Sequence, residues 1–123
     1  MFVHRWLAIS LLVVGGTAVA KQACLPPTME QPNFVRAEIL VSRLPELKKW
    51  AKTHHFPIAY GTTRGVVERY GRCYLPVTVS ADRPERQELW HVFYVHVSSK
   101  SMLVMDPVSG DPVSLKQWRA KLR

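Results

Sequence analysis

The spacing of apolar residues divides the chain into a helical part followed by a stranded part. Between residues 33 and 56, apolar residues recur at the period of an amphipathic helix, and Asn33 is a candidate N-cap. The apolar face comprises Ala37, Leu40, Val41, Leu44, Leu47 and Ala51. Pro45 interrupts this pattern, because proline lacks a backbone donor and clashes with the preceding turn. We therefore expect a helix kinked at Pro45, or two abutting helices with Pro45 in the first turn of the second.

The pattern then changes from helical to stranded. Residues 58–65 are rich in glycine and threonine, and have the composition of a loop. After Gly71 the apolar period shortens to two, which is typical of a half-buried strand. This strand contains Pro76, which cannot donate to a ladder, so we expect the strand to lie at a sheet edge or to be bulged there.

The longest predicted strand spans residues 88–98, and both of its faces are largely apolar. Strict alternation places Trp90 on the same face as Val92 and Tyr94. Two apolar faces are typical of a strand that is covered on both sides. We therefore expect this strand to be central in the sheet.

Turn and cap signals follow the long strand. Residues 98–101 predict an antiparallel hairpin, and residues 106–110 have Asp, Pro and Gly at the positions of a type I turn followed by a left-handed residue. After a short final strand, Ser114 stands three residues before Gln117, the spacing of a capping box that opens a terminal helix. The whole pattern predicts an α+β fold. An N-terminal helix kinked at Pro45 packs on an antiparallel β-meander of three to four strands, and a short C-terminal helix follows.

The N-terminal residues 1–20 have the three parts of a secretory signal peptide. His4 and Arg5 form a basic region, residues 6–14 are apolar without interruption, and Ala-Val-Ala at residues 18–20 is a small-residue cleavage site. We expect cleavage near Ala20 and a periplasmic or secreted mature protein. The apolar run is shorter than the roughly 20 residues of a membrane-spanning helix, so no stable membrane span is expected.

The mature chain is predicted to comprise an extended, proline-containing tail at residues 21–32 and a single α+β domain at residues 33–123. A domain of this size buries only about two-thirds of its unfolded surface, so a covalent link would help to stabilise it. Cys24 and Cys73 would both enter an oxidising compartment. We therefore expect them to form a disulfide rather than to act as free thiols.

The charge of the chain is strongly basic. The formal charge of +8 falls to +7 when Arg5 leaves with the leader, which favours acidic partners or anionic surfaces. The basic residues are scattered and follow no nucleic-acid-binding motif, and export separates the protein from nucleic acid. Nucleic acid is therefore not expected as a partner.

The sequence contains no familiar catalytic or cofactor-binding motif. An oxidised Cys73 cannot serve as a nucleophile for a neighbouring histidine. His91 and His96 are five residues apart on one predicted strand, so their side chains point to opposite faces and cannot share a metal unless the strand is bulged. We predict a protein that is not an enzyme and that has no cofactor and no metal site.

Aromatic residues indicate both a core and an interface. One tryptophan falls on each of the predicted helix, the central strand and the terminal helix, where they can gather in one core: Trp50, Trp90 and Trp118. Tyr60, Tyr70 and Tyr74 are interspersed with arginines, a mixture found at protein interfaces and also on ordinary surfaces. The predicted partner-binding residues are Tyr60, Arg64, Arg69, Arg72 and Tyr74.

Three segments carry a resemblance to known families. They are Leu-Pro-Glu-Leu-Lys at residues 44–48, Leu-Trp-His-Val-Phe-Tyr-Val at residues 89–95 and Asp-Pro-Val-Ser-Gly at residues 106–110. Their order resembles that of small exported PepSY-type and cystatin-like α+β domains and of NTF2-like immunity proteins. The resemblance implies a domain that binds or inhibits another protein and that has no catalytic residues.

These expectations favour an exported periplasmic protein that binds a protein partner. The expected role is that of an inhibitor or immunity protein, which neutralises a secreted antibacterial effector by occluding it. The alternative is an envelope component that binds a polyanion or an assembly partner of a secretion or conjugation machine. The oligomeric state is not specified by the pattern.

Overall fold

The computed structural model describes residues 24–63 and 65–122. Within them the chain forms three helices and a six-stranded antiparallel sheet, which confirms the α+β class. The helices are α1 (Pro32–Ser42), α2 (Pro45–Thr53) and α3 (Leu115–Lys121). The strands are β1 (Ile58–Gly61), β2 (Val67–Arg69), β3 (Arg72–Asp82), β4 (Gln87–His96), β5 (Ser101–Met105) and β6 (Pro112–Ser114). The predicted leader, residues 1–20, and Arg64 of the predicted interface lie outside the described residues.

The N-terminal helical segment is two separate helices, not one helix kinked at Pro45. Pro45 occupies the first turn of α2, where its missing N–H removes no helical hydrogen bond. Leu44 before it has extended φ and ψ of −62° and 130°, because a following proline disfavours the helical region. α1 likewise begins at Pro32, so its N-cap is Gln31 and not the predicted Asn33.

The sheet has the order β1-β3-β4-β5-β6, and β2 pairs with the first residues of β3. Six strands are present where three to four were expected, and β1 lies in residues 58–65, which have loop composition. β1 and β2 have only four and three residues. Their ladder hydrogen bonds come from the long strand β3, so pairing outweighs a local composition that does not favour strands.

Pro76 is accommodated inside β3 by a local gap in pairing. β1 pairs with residues 78–81 of β3 and β2 pairs with residues 72–74, so neither contacts Pro76 in register. The Pro76 carbonyl accepts a hydrogen bond of 3.0 Å from Oγ1 of Thr62, which follows β1 directly. In a β-strand, the nitrogen and the carbonyl oxygen of one residue point to the same side of the strand. The Pro76 nitrogen, which has no hydrogen to donate, therefore points into this gap, and no ladder hydrogen bond is lost.

A β-bulge at Trp90 changes the predicted alternation of β4. Val79 pairs with His91 whereas Ser80 pairs with Leu89, which leaves Trp90 as the extra residue of β4. Trp90 consequently packs on the helix side of the sheet and not beside Val92 and Tyr94, as strict alternation predicted. A bulge inserts one unpaired residue and so re-aims its side chain.

Two buried clusters occupy the two faces of the sheet. The helix-side core joins all three helices to one face and comprises Phe34, Ala37, Val41, Leu44, Leu47, Val77, Val79, Phe93, Val95, Met102, Val104 and Trp118. The second cluster contains strand residues from the opposite face: Tyr74, Val92, Tyr94 and Leu103. β4 contributes to both clusters and pairs with β3 and β5, which confirms its predicted central position.

Several local features agree with the sequence pattern. Cys24 and Cys73 form the predicted disulfide. Asp106 Oδ1 accepts from the backbone N–H of Val108 at 2.9 Å, in the predicted turn. α3 begins with the predicted Ser114 capping box. No helix within the described residues combines the length and the apolar character that crossing a membrane requires.

Candidate functional site

Three of the predicted interface residues lie at one end of the sheet. Arg69 and Arg72 are directly opposite each other in the β2–β3 hairpin, and Tyr74 follows on β3. Tyr60 is on β1 opposite Val79 and packs against the helix-side core. The fold therefore brings Arg69, Arg72 and Tyr74 together and leaves Tyr60 apart.

Both of the predicted interface tyrosines have packing roles. Tyr74 is only 2% exposed, and its Oη lies 3.3 Å from Oγ of Ser101. Tyr60 is half-buried, and its pKa is raised by burial and by the nearby negative charge of Glu38. Both tyrosine rings therefore pack within the fold and do not protrude from its surface.

The turn of the β2–β3 hairpin presents a different tyrosine to solvent. Tyr70 is 87% exposed and has a φ of +55°, and Gly71 after it has a φ of +70°. Two successive positive φ values are those of a type I′ turn, in which Asn, Asp or Gly usually fills the first position. The only sequence signal for this turn is Gly71, because tyrosine does not usually fill the first position. Alternation alone did not show that Tyr70, and not Tyr74, is the exposed ring.

A network of polar side chains holds Arg72 beside this turn. Arg72 Nη1 donates to Oγ of Ser99 and of Ser101, at 3.4 and 3.3 Å. The two hydroxyl oxygens are 2.9 Å apart, and His96 Nδ1 lies 2.6 Å from Ser99 Oγ. Ser99 Oγ also donates to the backbone carbonyl of His96 at 3.5 Å, a contact by which serine commonly stabilises a local turn. We assign it this structural role.

We call the two neighbouring turns, residues 69–72 and 97–101, the hairpin end. Arg69, Arg72 and Lys100 give it three positive charges. Cys73 follows directly on β3, and its disulfide to Cys24 ties the base of the hairpin to the segment that precedes α1. The hairpin end thus combines a protruding aromatic ring, basic side chains and a braced backbone.

The two histidines of β4 lie on opposite faces of the sheet, as alternation predicted. His91 lies 5.2 Å from the Trp118 ring on the helix side, whereas His96 lies 5.8 Å from the Tyr74 ring, measured between centroids. Burial lowers the pKa of His91. In the part of the chain that the structure describes, no group of three or more His, Cys, Asp or Glu side chains is arranged to hold a metal ion.

Comparison of the chain with models of protein families, with curated proteins and with solved structures finds no match.

Proposed function

We propose that this chain is an exported binding protein whose hairpin end engages a protein partner. In this proposal it acts as an inhibitor or immunity protein, and neutralises a secreted antibacterial effector by occluding it. The single observation that carries the proposal is Tyr70, an exposed aromatic ring held in a left-handed backbone conformation between Arg69 and Arg72.

The conformation of Tyr70 is unfavourable for folding alone. A non-glycine residue in the left-handed region costs roughly 1–2 kcal/mol, and an exposed ring gains little from burial in return. Glycine at this position would remove most of that cost. A binding role accounts for the tyrosine, because Tyr and Arg dominate the residues that contribute most to protein interfaces.

The surroundings of Tyr70 support insertion into a concave target. The Arg72 hydrogen bonds to Ser99 and Ser101 and the adjacent disulfide hold the hairpin in one conformation. A preorganised loop loses less conformational entropy when it binds. The basic charge of the hairpin end favours a target with an acidic cleft and accelerates association at low ionic strength.

Two features support export. Residues 1–20 have the sequence pattern of a secretory leader, and a structural disulfide is stable in the periplasm or outside the cell. The Cys24–Cys73 disulfide is therefore consistent with the oxidising compartment that the predicted leader implies.

The decisive variant is Tyr70→Gly, with Val108→Ala as its matched control. Val108 is 95% exposed in the turn at the far end of β5, so it tests loss of an exposed side chain away from the hairpin end. Immobilised wild type and both variants are exposed to envelope and secreted fractions, and captured proteins are identified by mass spectrometry. We expect Tyr70→Gly to reduce capture about tenfold or more. Its free energy of unfolding should be unchanged or raised by up to about 1 kcal/mol.

The role of inhibitor is tested separately on the captured protein. Its enzymatic activity should be lost at equimolar wild type and retained with Tyr70→Gly. Equal capture by wild type and Tyr70→Gly would place the interface elsewhere, and a captured enzyme that stays active would exclude occlusion.

A second candidate function rests on the positive charges of the hairpin end. Arg69, Arg72 and Lys100 can contact the anionic groups of an envelope polyanion or of an acidic partner in an assembly. Polyanion binding falls steeply with salt, whereas an interface centred on Tyr70 does not. Binding that disappears at high salt and is insensitive to Tyr70→Gly would favour this second function.

A further inference from the structure

The outer side of α1 carries apolar residues that do not belong to the core. Phe34, Ala37 and Val41 face the sheet and are buried, whereas Val35 and Ile39 point away from it and are 48% and 44% exposed. Residues four apart on a helix are neighbours, so these two side chains form one apolar strip. Folding gains little from them, because much of their surface stays in water.

The segment that precedes α1 extends this strip. Leu25 and Met29 are even more exposed, and Leu25 lines the same cleft as Pro32, the first residue of α1. Within the described residues, eight large apolar side chains are exposed, and four of them lie in residues 25–39. A cluster of exposed apolar residues, unlike a single one, marks an interaction surface. We call this set the α1 ridge: Leu25, Met29, Val35 and Ile39.

Basic side chains accompany the α1 ridge. Because α1 and α2 cover the same face of the sheet, their exposed sides belong to one outer surface. Within the described residues, five basic side chains of this surface are exposed and form no ion pair: Arg36, Arg43, Lys48, Lys49 and Lys52.

Positive charge prevails on this surface. The acidic residues of the same stretch are Glu30, Glu38 and Glu46. Glu46 is neutralised by Arg119 of α3, whose Nε lies 2.6 Å from its Oε1. The five basic side chains therefore outnumber the two remaining acidic ones, so the surface attracts anions.

We infer that this surface docks onto a lipid bilayer rich in anionic phospholipid. The α1 ridge enters the boundary between head groups and acyl chains, and the basic side chains contact the lipid phosphates. Long lysine and arginine side chains lie along such a boundary while their charges stay in water. Each basic residue near an anionic membrane strengthens binding about fivefold. The predicted export would bring the chain to a membrane surface.

The composition of this surface favours lipid over a protein partner. Residues that dominate protein interfaces are enriched in Trp, Tyr and Arg, and lysine is depleted there. The α1 ridge contains no aromatic residue, and three of the five basic residues are lysines. The hairpin end has the opposite composition, with Tyr70 between two arginines. A soluble polyanion would contact the basic side chains but would leave the α1 ridge in water.

Vesicle sedimentation tests this docking directly. The exported, oxidised protein is mixed with vesicles of phosphatidylglycerol and phosphatidylcholine in equal amounts, or of phosphatidylcholine alone. Its mass is checked first, because a retained leader would itself bind to membranes. We expect binding to the anionic vesicles to be at least about tenfold tighter.

Val35→Ser/Ile39→Ser removes the helical part of the α1 ridge. It should weaken binding to the anionic vesicles about tenfold. The matched control is Leu89→Ser/Val108→Ser, which removes two exposed aliphatic side chains outside α1 and α2 and should bind as wild type. All four side chains are exposed, so we expect both variants to fold, and circular dichroism checks this.

Lys48→Gln/Lys49→Gln tests the basic part of the surface. It should weaken binding to the anionic vesicles about tenfold or more and leave binding to phosphatidylcholine unchanged. Arg86→Gln/Lys100→Gln is the matched control, because it lowers the net charge equally at two exposed turns of the sheet. We expect it to weaken binding less than about threefold, since those charges lie away from the docked surface.

Three results would overturn the proposal. The first is the absence of binding to the anionic vesicles, which would leave this surface to a protein partner. The second is an equal loss of binding in either variant and its matched control, which would place the contact elsewhere. The third is binding that high salt abolishes but Val35→Ser/Ile39→Ser does not change, which would indicate charge attraction without insertion of the α1 ridge.

Discussion

His91 lies among three aromatic rings, with centroid distances of 4.6 Å to Trp90, 6.1 Å to Phe93 and 5.2 Å to Trp118. Burial lowers its pKa, because the charged imidazolium loses hydration in this environment. In the unfolded chain the pKa returns to about 6.5. Below about pH 6.5 the unfolded state therefore binds more protons than the folded state. The stabilising contribution is complete above that pH and is lost as the pH falls toward the folded pKa.

We expect His91→Phe to remove this pH dependence, because phenylalanine keeps an aromatic ring and cannot take up a proton. The measurement is the free energy of unfolding from denaturant titrations between about pH 7 and pH 5. This range lies above the reference pKa values of the carboxyl groups. His55→Asn is the matched control, since it removes a histidine from an exposed position. A slope that is the same in His91→Phe and wild type would contradict the assignment.

At the scale of elements, α3 depends on its capping box because it has only seven residues. The Ser114 hydroxyl accepts from the Gln117 N–H at 3.1 Å, and Gln117 Oε1 accepts from the Ser114 N–H at 3.0 Å. Such a short helix has little stability of its own, so its end hydrogen bonds and its buried Trp118 determine whether it forms.

Ser114→Ala should lower the free energy of unfolding by about 1 kcal/mol, since it removes the acceptor for the Gln117 N–H. Ser114→Thr keeps a hydroxyl and should restore most of the stability. Chemical denaturation gives the free energies, and near-ultraviolet circular dichroism reports the packing of Trp118. Equal stability of the alanine and threonine variants would show that the cap does not stabilise the helix.

At the scale of the whole molecule, the Cys24–Cys73 bond links residues 49 positions apart in a small domain. The bond restricts the unfolded chain, and the loop-entropy relation gives a contribution of about 4 kcal/mol for a loop of this length. Domains of this kind have total stabilities of only about 5–15 kcal/mol. The disulfide is therefore a large part of what keeps the fold intact.

The double variant Cys24→Ser/Cys73→Ser should lose about 4 kcal/mol of unfolding free energy. Wild type under reducing conditions should lose a similar amount, which separates the effect of the bond from that of the serine substitutions. Denaturant titrations with and without reductant provide the comparison. A loss below about 1 kcal/mol in both samples would mean that the bond does not stabilise the domain.

Hydrophobic periodicity predicted much of the architecture correctly. The change from helical to alternating period gave the α+β class, and the two apolar faces of residues 88–98 identified β4 as central. The tryptophans gather as expected, since Trp90 contacts both Trp50 and Trp118. These features could be predicted from the sequence because the buried face of a helix or strand requires apolar residues at the repeat of that element.

The predicted interface was only partly assembled by the fold. Arg69 and Arg72 meet across one hairpin, but Tyr60 lies on another strand and Tyr74 is buried. Tyr70 was not selected, because tyrosine followed by glycine is not one of the usual pairs of a two-residue turn. Composition places aromatic and basic residues near one another in the chain, but it does not show which side of a strand or turn each one faces.

The sequence alone was sufficient to predict the class of fold, the disulfide, the Asp106 turn and the cap of α3. The class follows from the period of apolar residues, the disulfide from the presence of just two cysteines after the predicted leader, and the turn and cap from neighbours a few residues away. Strands β1 and β2 and the bulge at Trp90 depend instead on the register of pairing with β3, a partner distant in sequence. A one-residue change of register moves a side chain to the opposite face. For that reason only the assembled sheet decided that Trp90 meets Trp50 and that Tyr70 faces the solvent.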